Sequence, residues 1–251
     1  MSDSGLDLQR FLDRLTNRSI LTEQEQQAVL DLPFRVVRYD ANHDLVRLGE
    51  QLNHACFVAE GLIGRFDQNA RGERQITSLY IAGDMPDLLS VVQPTATSAL
   101  VALSNATVLH VPHQAIREAM ATYPALAEAF WRDCMVDAMI LAQWVVNVGR
   151  RNARSRIAHL LCEMGYRYGA RSEAGAAAFR LSMTQNHLAD ATGLTPVHVN
   201  RTLKALAADG VSFRGKAVRV ENWEVLADVG DFDSNYLQAE IQPQHRLRIA
   251  Q

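Results

Sequence analysis

Apolar residues change their spacing twice along this chain, at Pro33 and at Pro112, and the two changes confine it to a few architectures. Before Pro33, Leu8, Phe11, Leu12 and Leu15 recur at the spacing of an amphipathic helix. Leu21-Thr-Glu-Gln-Glu25 opens a second helix, with Thr22 as N-cap and Glu25 three residues on. Between the two prolines the apolar runs shorten to strand length and fill with β-branched and aromatic residues, at 34–39, 45–48, 55–58, 62–66, 75–81, 99–103 and 107–111. Turn-forming residues separate them, and Gly61, Gly72 and Gly83 fall 11 apart, a hairpin-like rhythm. Seven strands of this kind predict a β-roll, a barrel or jelly roll in architecture. Beyond Pro112 the period is helical, so the fold class expected is α+β.

The first long helical stretch carries a second pattern. Ala127, Trp131, Cys134, Ala138, Leu141, Val145 and Val148 are spaced 4, 3, 4, 3, 4, 3, the a/d seam of a coiled coil. Phe130, Met135, Ile140 and Trp144 make other faces apolar as well. One side of the helix is therefore expected on the barrel and the seam against a twin chain. The basic run Gly149-Arg-Arg-Asn-Ala-Arg-Ser-Arg156 interrupts the seam and reads as a hinge to a second domain.

Charge separates the same two regions. The 251 residues carry 25 Lys/Arg and 28 Asp/Glu, yet residues 150–220 hold 12 basic against 4 acidic side chains, leaving 13 against 24 elsewhere. A basic segment inside an acidic protein is the footprint expected where Lys and Arg displace counterions from phosphates. The three cysteines, Cys56, Cys134 and Cys162, are widely spaced and form no CxxC, so neither a disulfide framework nor a cysteine metal site is expected. A polar N-terminus and the lack of a long apolar run point to a reduced, cytoplasmic protein without a membrane partner. No catalytic Ser-His-Asp order, nucleotide-binding glycine loop or metal-ligand spacing is present, so no enzyme activity and no metal site are expected.

Chemistry concentrates in Ser182-Met-Thr-Gln-Asn-His-Leu-Ala-Asp-Ala-Thr-Gly193-Leu-Thr-Pro-Val-His-Val-Asn-Arg-Thr-Leu-Lys-Ala-Leu206. Ser182 and Gln185 suggest a capping box for one helix. Gly193 permits a tight turn, Thr195 caps the next helix, and Pro196 sits at its first position, where a missing N–H costs nothing. Val199, Leu203 and Leu206 are expected to bury one face of that second helix. Pro196, Val197, His198, Asn200, Arg201 and Lys204 are left on the other faces or at its start. Two helices around a glycine turn predict a helix-turn-helix whose second helix enters the DNA major groove. Residues 211–220 add two strands around Arg214-Gly215-Lys216, a wing.

With these residues in place, the whole order resembles the Crp/Fnr family of bacterial transcription regulators over residues 20–225. The likeness is carried by the Gly61/Gly72/Gly83-Asp84 rhythm, by Arg156-Ile-Ala-His-Leu-Leu161 and above all by Leu194-Thr-Pro-Val-His-Val-Asn-Arg-Thr-Leu-Lys204. It implies N-terminal helices with a cyclic-nucleotide-binding-like β-roll (1–124), a dimerisation helix (125–149), a winged helix-turn-helix (150–227) and a C-terminal tail (228–251). It implies a homodimer on a palindromic double-stranded operator, and it admits RNA polymerase as a further partner. Arg201 matches the family's base-reading Arg and suits bidentate contact with guanine. Val197 stands where the family commonly has Glu, which points to a different half-site, with Asn200 and His198 as the next base contacts. Thr184, Gln185, Thr195, Lys204, Arg214 and Lys216 are expected on phosphates.

The family's cyclic-nucleotide members hold the phosphate with a Gly-Glu-Leu turn and an Arg-Ser/Thr-Ala step. Here those positions read Pro86-Asp87-Leu88 and Thr97-Ser98-Ala99, with Leu141 near the base position. Thr97 replaces the cation, so cAMP is not expected as effector. The iron–sulfur variant of the family needs an N-terminal cysteine cluster, and residues 1–55 have no Cys. Haem stays open through His43, His54, His110 or His113. A haem- or small-molecule-binding signalling module whose helix-turn-helix contacts protein is the alternative to a DNA-binding regulator.

Overall fold

The computed structural model describes residues 7–170 and 175–237. Its packing divides into two compact units, residues 7–66 with 79–139, and residues 67–78 with 140–237. Among the described residues, no helix is long and apolar enough to cross a membrane.

In the first unit, helix α1 (Gln9–Thr16) and helix α2 (Glu23–Leu30) precede the strands. The capping box expected at α2 is present: Thr22 accepts from the Glu25 backbone N–H, and the Glu25 side chain accepts from the Thr22 N–H. Seven strands follow where the shortened period places them: β1 (Arg35–Tyr39), β2 (Asp44–Val46), β3 (His54–Glu60), β4 (Ile63–Gln68), β5 (Arg74–Tyr80), β6 (Ala99–Ala102) and β7 (Ala106–Pro112). They form a β1-β7-β3 sheet and a β2-β6-β4-β5 sheet. Gly61 turns β3 into β4 with φ +100°, and a Cβ there would lie 2.7 Å from both Asn105 O and Ala106 Cβ. Only glycine fits that approach.

The pleat of β3 and β7 creates two cores. Ala55 and Phe57 face one side with Leu109 and Val111, where Leu8, Phe11, Leu12 and Leu15 of the α1 region and Phe130 cover them. Cys56 and Val58 face the other side with Ala106 and Val108, inside the roll with Ile63, Tyr80 and Leu100. Period-2 alternation thus accounts for strands that are apolar on both faces. Phe11 stacks on Phe130 at 5.8 Å between ring centres and tilts against Phe57 at 6.1 Å. Buried Asp133 accepts from Arg14 Nε at 2.7 Å and Arg18 Nη1 at 2.6 Å, so this charge is paired where it leaves water.

Helix α3 (His113–Thr122) leads to α4 (Pro124–Arg150), a continuous helix of 27 residues. Its buried stripe is Leu126, Ala129, Phe130, Asp133, Val136, Ile140, Trp144 and Asn147. The heptad seam falls elsewhere: Trp131, Ala138, Leu141 and Val145 are exposed, and Ala127, Cys134 and Val148 half-buried. Packing groups α4 up to Met139 with the first unit and from Ile140 with the second, and the helix ends at Arg150, within the basic run expected to be the hinge.

The second unit is built on α5 (Ala153–Arg167), capped by Asn152 and buried on nearly every side from Ile157 to Gly165. Around it lie β8 (Ala177–Arg180), α6 (Gln185–Thr192), α7 (Pro196–Leu206), β9 (Val211–Arg214), β10 (Ala217–Val220) and α8 (Trp223–Gly230). The sheet order is β8-β10-β9, so the wing gains a third strand that the apolar pattern did not announce. The tail expected from residue 228 begins later. Residues 228–230 complete α8, Phe232 and Tyr236 pack their rings around His159, and Leu237 is buried. These apolar side chains sit singly among acidic ones, and average composition hides such a satellite cluster. Residues 238–251 of the expected tail lie outside the described residues.

Candidate nucleic-acid interface

Helices α6 and α7 meet through Gly193, the left-handed cap of α6 at φ +62°. Thr195 Oγ1 accepts the His198 N–H at 3.2 Å, and Pro196 occupies the first turn of α7, both as expected. The cap of α6 is corrected. Thr184, not Ser182, is the N-cap: its hydroxyl accepts the His187 N–H at 3.1 Å, and His187 Nδ1 accepts the Thr184 N–H at 3.4 Å. Histidine thereby fills the role of the Glu or Gln in a capping box, a substitution the usual pattern does not anticipate. Burial pushes the His187 pKa down, which keeps its ring neutral and able to accept.

Val199 and Leu206 of α7 are buried, whereas Leu203 is only half-buried. Thr202 takes the remaining place in the buried face and bonds the His198 carbonyl at 2.9 Å. The opposite face is exposed, with Pro196, Val197, His198, Arg201 and Lys204 in solvent and Asn200 half-exposed. Val197 is 66% exposed.

The wing turns through Gly215 and Lys216, both at positive φ (+54° and +79°), between the paired residues Arg214 and Ala217. Two such residues make a type I′ hairpin turn, and they hold Arg214 and Lys216 in solvent at its tip. Thr184 and Gln185 are exposed at the start of α6. The second unit thus leaves every residue expected on DNA exposed or half-exposed. Asn152 and Arg154 at the start of α5 line the groove along Thr195, Val197, His198 and Arg201. Asn152 accepts the Ser155 N–H at 3.0 Å, and Arg154 Nε donates to Asp209 at 3.1 Å. An Asn three residues before Ser, ahead of an apolar helical run, was the available signal of that cap.

The roll interior holds some of the expected effector residues and not others. Asp87, Leu88 and Ser98 are buried, Thr97 is exposed, and Leu141 belongs to the second unit, so the five do not form one pocket within the first. Arg65, which sequence reasoning overlooked, takes the polar groups of this region. Its Nη1 donates to Ser98 Oγ at 2.5 Å, its Nε to Tyr80 Oη at 3.0 Å, and its Nη2 to the Pro86 carbonyl. A lone Arg in an apolar strand, at the inward-facing step of Ile63-Gly-Arg, was the signal. Asp87 accepts the Cys56 N–H at 2.6 Å, and burial raises its pKa to about 6.

The four haem candidates are dispersed in role. His43 is exposed in a turn, His113 is buried with Nε2 2.8 Å from Ser90 Oγ, and His54 stacks on His110 with ring centres 3.9 Å apart.

Comparison with known proteins agrees with this arrangement. Residues 155–229 match the Crp-like helix-turn-helix domain and residues 36–123 the cyclic nucleotide-binding domain. The anaerobic regulatory protein of Haemophilus influenzae is 26% identical over 210 residues, covering 83% of this chain and 81% of that one. The fumarate and nitrate reduction regulatory protein of Escherichia coli K12 is 22% identical over 216 residues, 86% of each. FixK2 from Bradyrhizobium japonicum shares the fold with a TM-score of 0.71 at 24% identity, over 79% of this chain and 98% of that one.

Proposed function

The chain belongs to the Crp/Fnr family and is a DNA-binding transcription regulator. From that premise we propose that it acts as a homodimer, joined along the exposed stripe of α4, and reads a palindromic operator with α7. The observation that carries the reading is the separation of faces on α4. Leu126, Phe130, Ile140 and Trp144 are buried by the chain itself, while Trp131 (65% exposed), Leu141 (44%) and Val145 (61%) are left in water at heptad spacing. Large apolar side chains exposed in a stripe are costly alone and are satisfied by a self-complementary partner.

A palindromic operator asks for the two α7 helices of the dimer roughly 34 Å apart, one turn of DNA. Arg201, with no hydrogen bond or ion pair among the described residues, reads guanine, and Asn200 and His198 contact neighbouring bases. Thr184, Gln185, Thr195, Lys204, Arg214 and Lys216 hold phosphates, which fix position without reading sequence. The roll does not take cAMP in the family manner, because Arg65 already engages Ser98 and the Pro86 carbonyl, and Thr97 supplies no cation.

The test measures mass in solution and operator binding on the same variants. Leu141→Asp is expected to give a monomer that has lost specific binding. Arg201→Ala is expected to lose about 1–3 kcal/mol and its sequence preference. Lys216→Ala should weaken all DNA alike and lower the salt slope by about one. A fully active Leu141→Asp monomer refutes the dimer, and unchanged specificity in Arg201→Ala refutes the assignment of the reading residue.

A further inference from the structure

Pairing β3 with β7 sets Cys56 directly across from His110, and the pleat brings His54 to the same side. One ring nitrogen of each histidine and the Cys56 sulfur all lie within 4.8 Å of one another. We infer that His54, Cys56 and His110 form a binding site for a thiophilic divalent metal ion of the Zn2+ type. The site lies in the first unit, with Asp87 between it and Arg65.

The hydrogen bonds around the cluster fix which atoms can ligate. Asn53 Oδ1 lies 2.8 Å from His54 Nδ1 and can only accept, so Nδ1 carries the proton and Nε2 bears the lone pair. That Nε2 is buried and has no hydrogen-bond partner. An orphaned acceptor beside a thiol is an unusual cost for a fold to carry, and a ligand removes it. An imidazole whose far N–H is held by an amide or carboxylate oxygen is also the arrangement that orients metal-bound histidines.

His110 is placed in the same way. Arg35 Nη2 lies 3.3 Å from its Nδ1 and can only donate, so Nδ1 accepts and the Nε2–H points to Tyr39 Oη at 3.1 Å. Arg35 is exposed and can swing away, which leaves a second lone pair free. Two imidazoles and a thiolate match a tetrahedral site with Zn–N of about 2.0–2.1 Å and Zn–S of about 2.3 Å, its fourth position open to water or a ligand. The ligand atoms lie within 4.8 Å of one another, and one of the two stacked rings must turn about its side-chain bonds for both lone pairs to meet on one ion.

Charge balances too. Binding releases the Cys56 proton, so thiolate and Asp87 together supply two negative charges against the dication. Asp87 lies against the thiol and accepts the Cys56 N–H at 2.6 Å. A cleft of about 870 Å3 lined by Phe34, Arg35, His54, Pro94, His110 and His113 gives an entry path.

The probe is Co2+, added under reducing conditions to the metal-free full-length protein, then displaced by Zn2+. Expected is one equivalent bound with a thiolate-to-cobalt absorption band, lost on adding Zn2+ and absent in Cys56→Ser. Cys56 is fully buried, so variants at the rim keep the test clear of misfolding. Asn53→Ala should weaken binding about 10- to 100-fold by releasing the His54 ring. Arg35→Ala should tighten it, by removing a competing donor and a positive charge, and His43→Ala should leave it unchanged. Absence of the band, or a band indifferent to Cys56→Ser and Asn53→Ala, overturns the site. Since none of these measurements involves DNA, the outcome stands apart from the operator-binding reading.

Discussion

Glu163 is fully buried on α5, and its carboxylate is the acceptor for one buried and one half-buried donor. Trp144 Nε1 donates to it from α4 at 3.0 Å, and Tyr236 Oη donates from the C-terminal segment at 2.8 Å. Arg167 Nη1 lies 3.6 Å away. Replacing it by Leu keeps the volume near, strands Trp144 Nε1 at about 1–3 kcal/mol, and costs Tyr236 Oη one hydrogen bond of about 0.5–1.5 kcal/mol, since that hydroxyl keeps His159 Nε2 at 3.3 Å. Glu163→Leu should therefore cost about 1.5–4.5 kcal/mol, a large part of the 5–15 kcal/mol typical of a domain. Glu163→Gln keeps one acceptor and should cost about half as much. The assay is urea unfolding at pH 7, followed by fluorescence, since Trp144 and Trp223 both belong to this unit. Tyr236→Phe removes one of the donors, so Glu163→Leu should cost less in that background, by about 0.5–3 kcal/mol. A loss below about 1 kcal/mol for Glu163→Leu, or strict additivity with Tyr236→Phe, would refute the network as a source of stability.

Two further outcomes follow from the geometry. Burial, with Arg151 nearby, lowers the His159 pKa to about 4 while its Nδ1 faces the Gly230 carbonyl at 3.1 Å. The folded state thus resists a proton that the unfolded chain takes near 6.5, so this stability is present above that pH and lost as pH falls toward 4. At about 1.4 kcal/mol per unit the loss reaches about 3 kcal/mol. Glu163, raised by burial, works in the opposite direction in both proteins, so the difference between wild type and His159→Asn isolates the histidine; parallel pH profiles would sink the assignment. Gly61→Ala meets backbone at 2.7 Å with φ +100°, while Gly49→Ala at φ +79° meets nothing within 4 Å. The first should cost about 2–6 kcal/mol from strain and overpacking together, the second only backbone strain, and equal melting shifts would contradict the approach seen at Gly61.

How far the sequence was legible depended on the distance between the residues involved. Thr22, Gly193, Thr195 and Pro196 act on neighbours within a few residues, and each does in the structure what its position implies. The seven strands are periodic signals repeated over many residues, and they survive too; on α4, Phe130, Ile140 and Trp144 are buried as expected, while Met135 is 50% exposed. Reading failed where partners are far apart in the chain or where a side chain plays an unusual part. His187 serves as a capping residue, so Ser182 looked the better cap. Arg65 meets Ser98 only because β4 pairs with β6 across an intervening strand of sequence. Cys56 and His110 are 54 positions apart, and nothing but strand register makes them face each other. Phe232 and Tyr236 matter because His159, more than 70 residues earlier, waits beneath them.

The tip of the wing carries a consequence of its own. Lys216 holds φ +79°, a conformation that costs a residue with a side chain roughly 1–2 kcal/mol and glycine nearly nothing. The four paired positions from Arg214↔Ala217 to Val211↔Val220 carry that cost. Glycine at 216 would make the hairpin more stable and, on the proposed interface, weaken its hold on phosphate. At this one residue thermal robustness and operator occupancy pull in opposite directions, so selection for a hardier protein would erode a regulator's grip on its DNA.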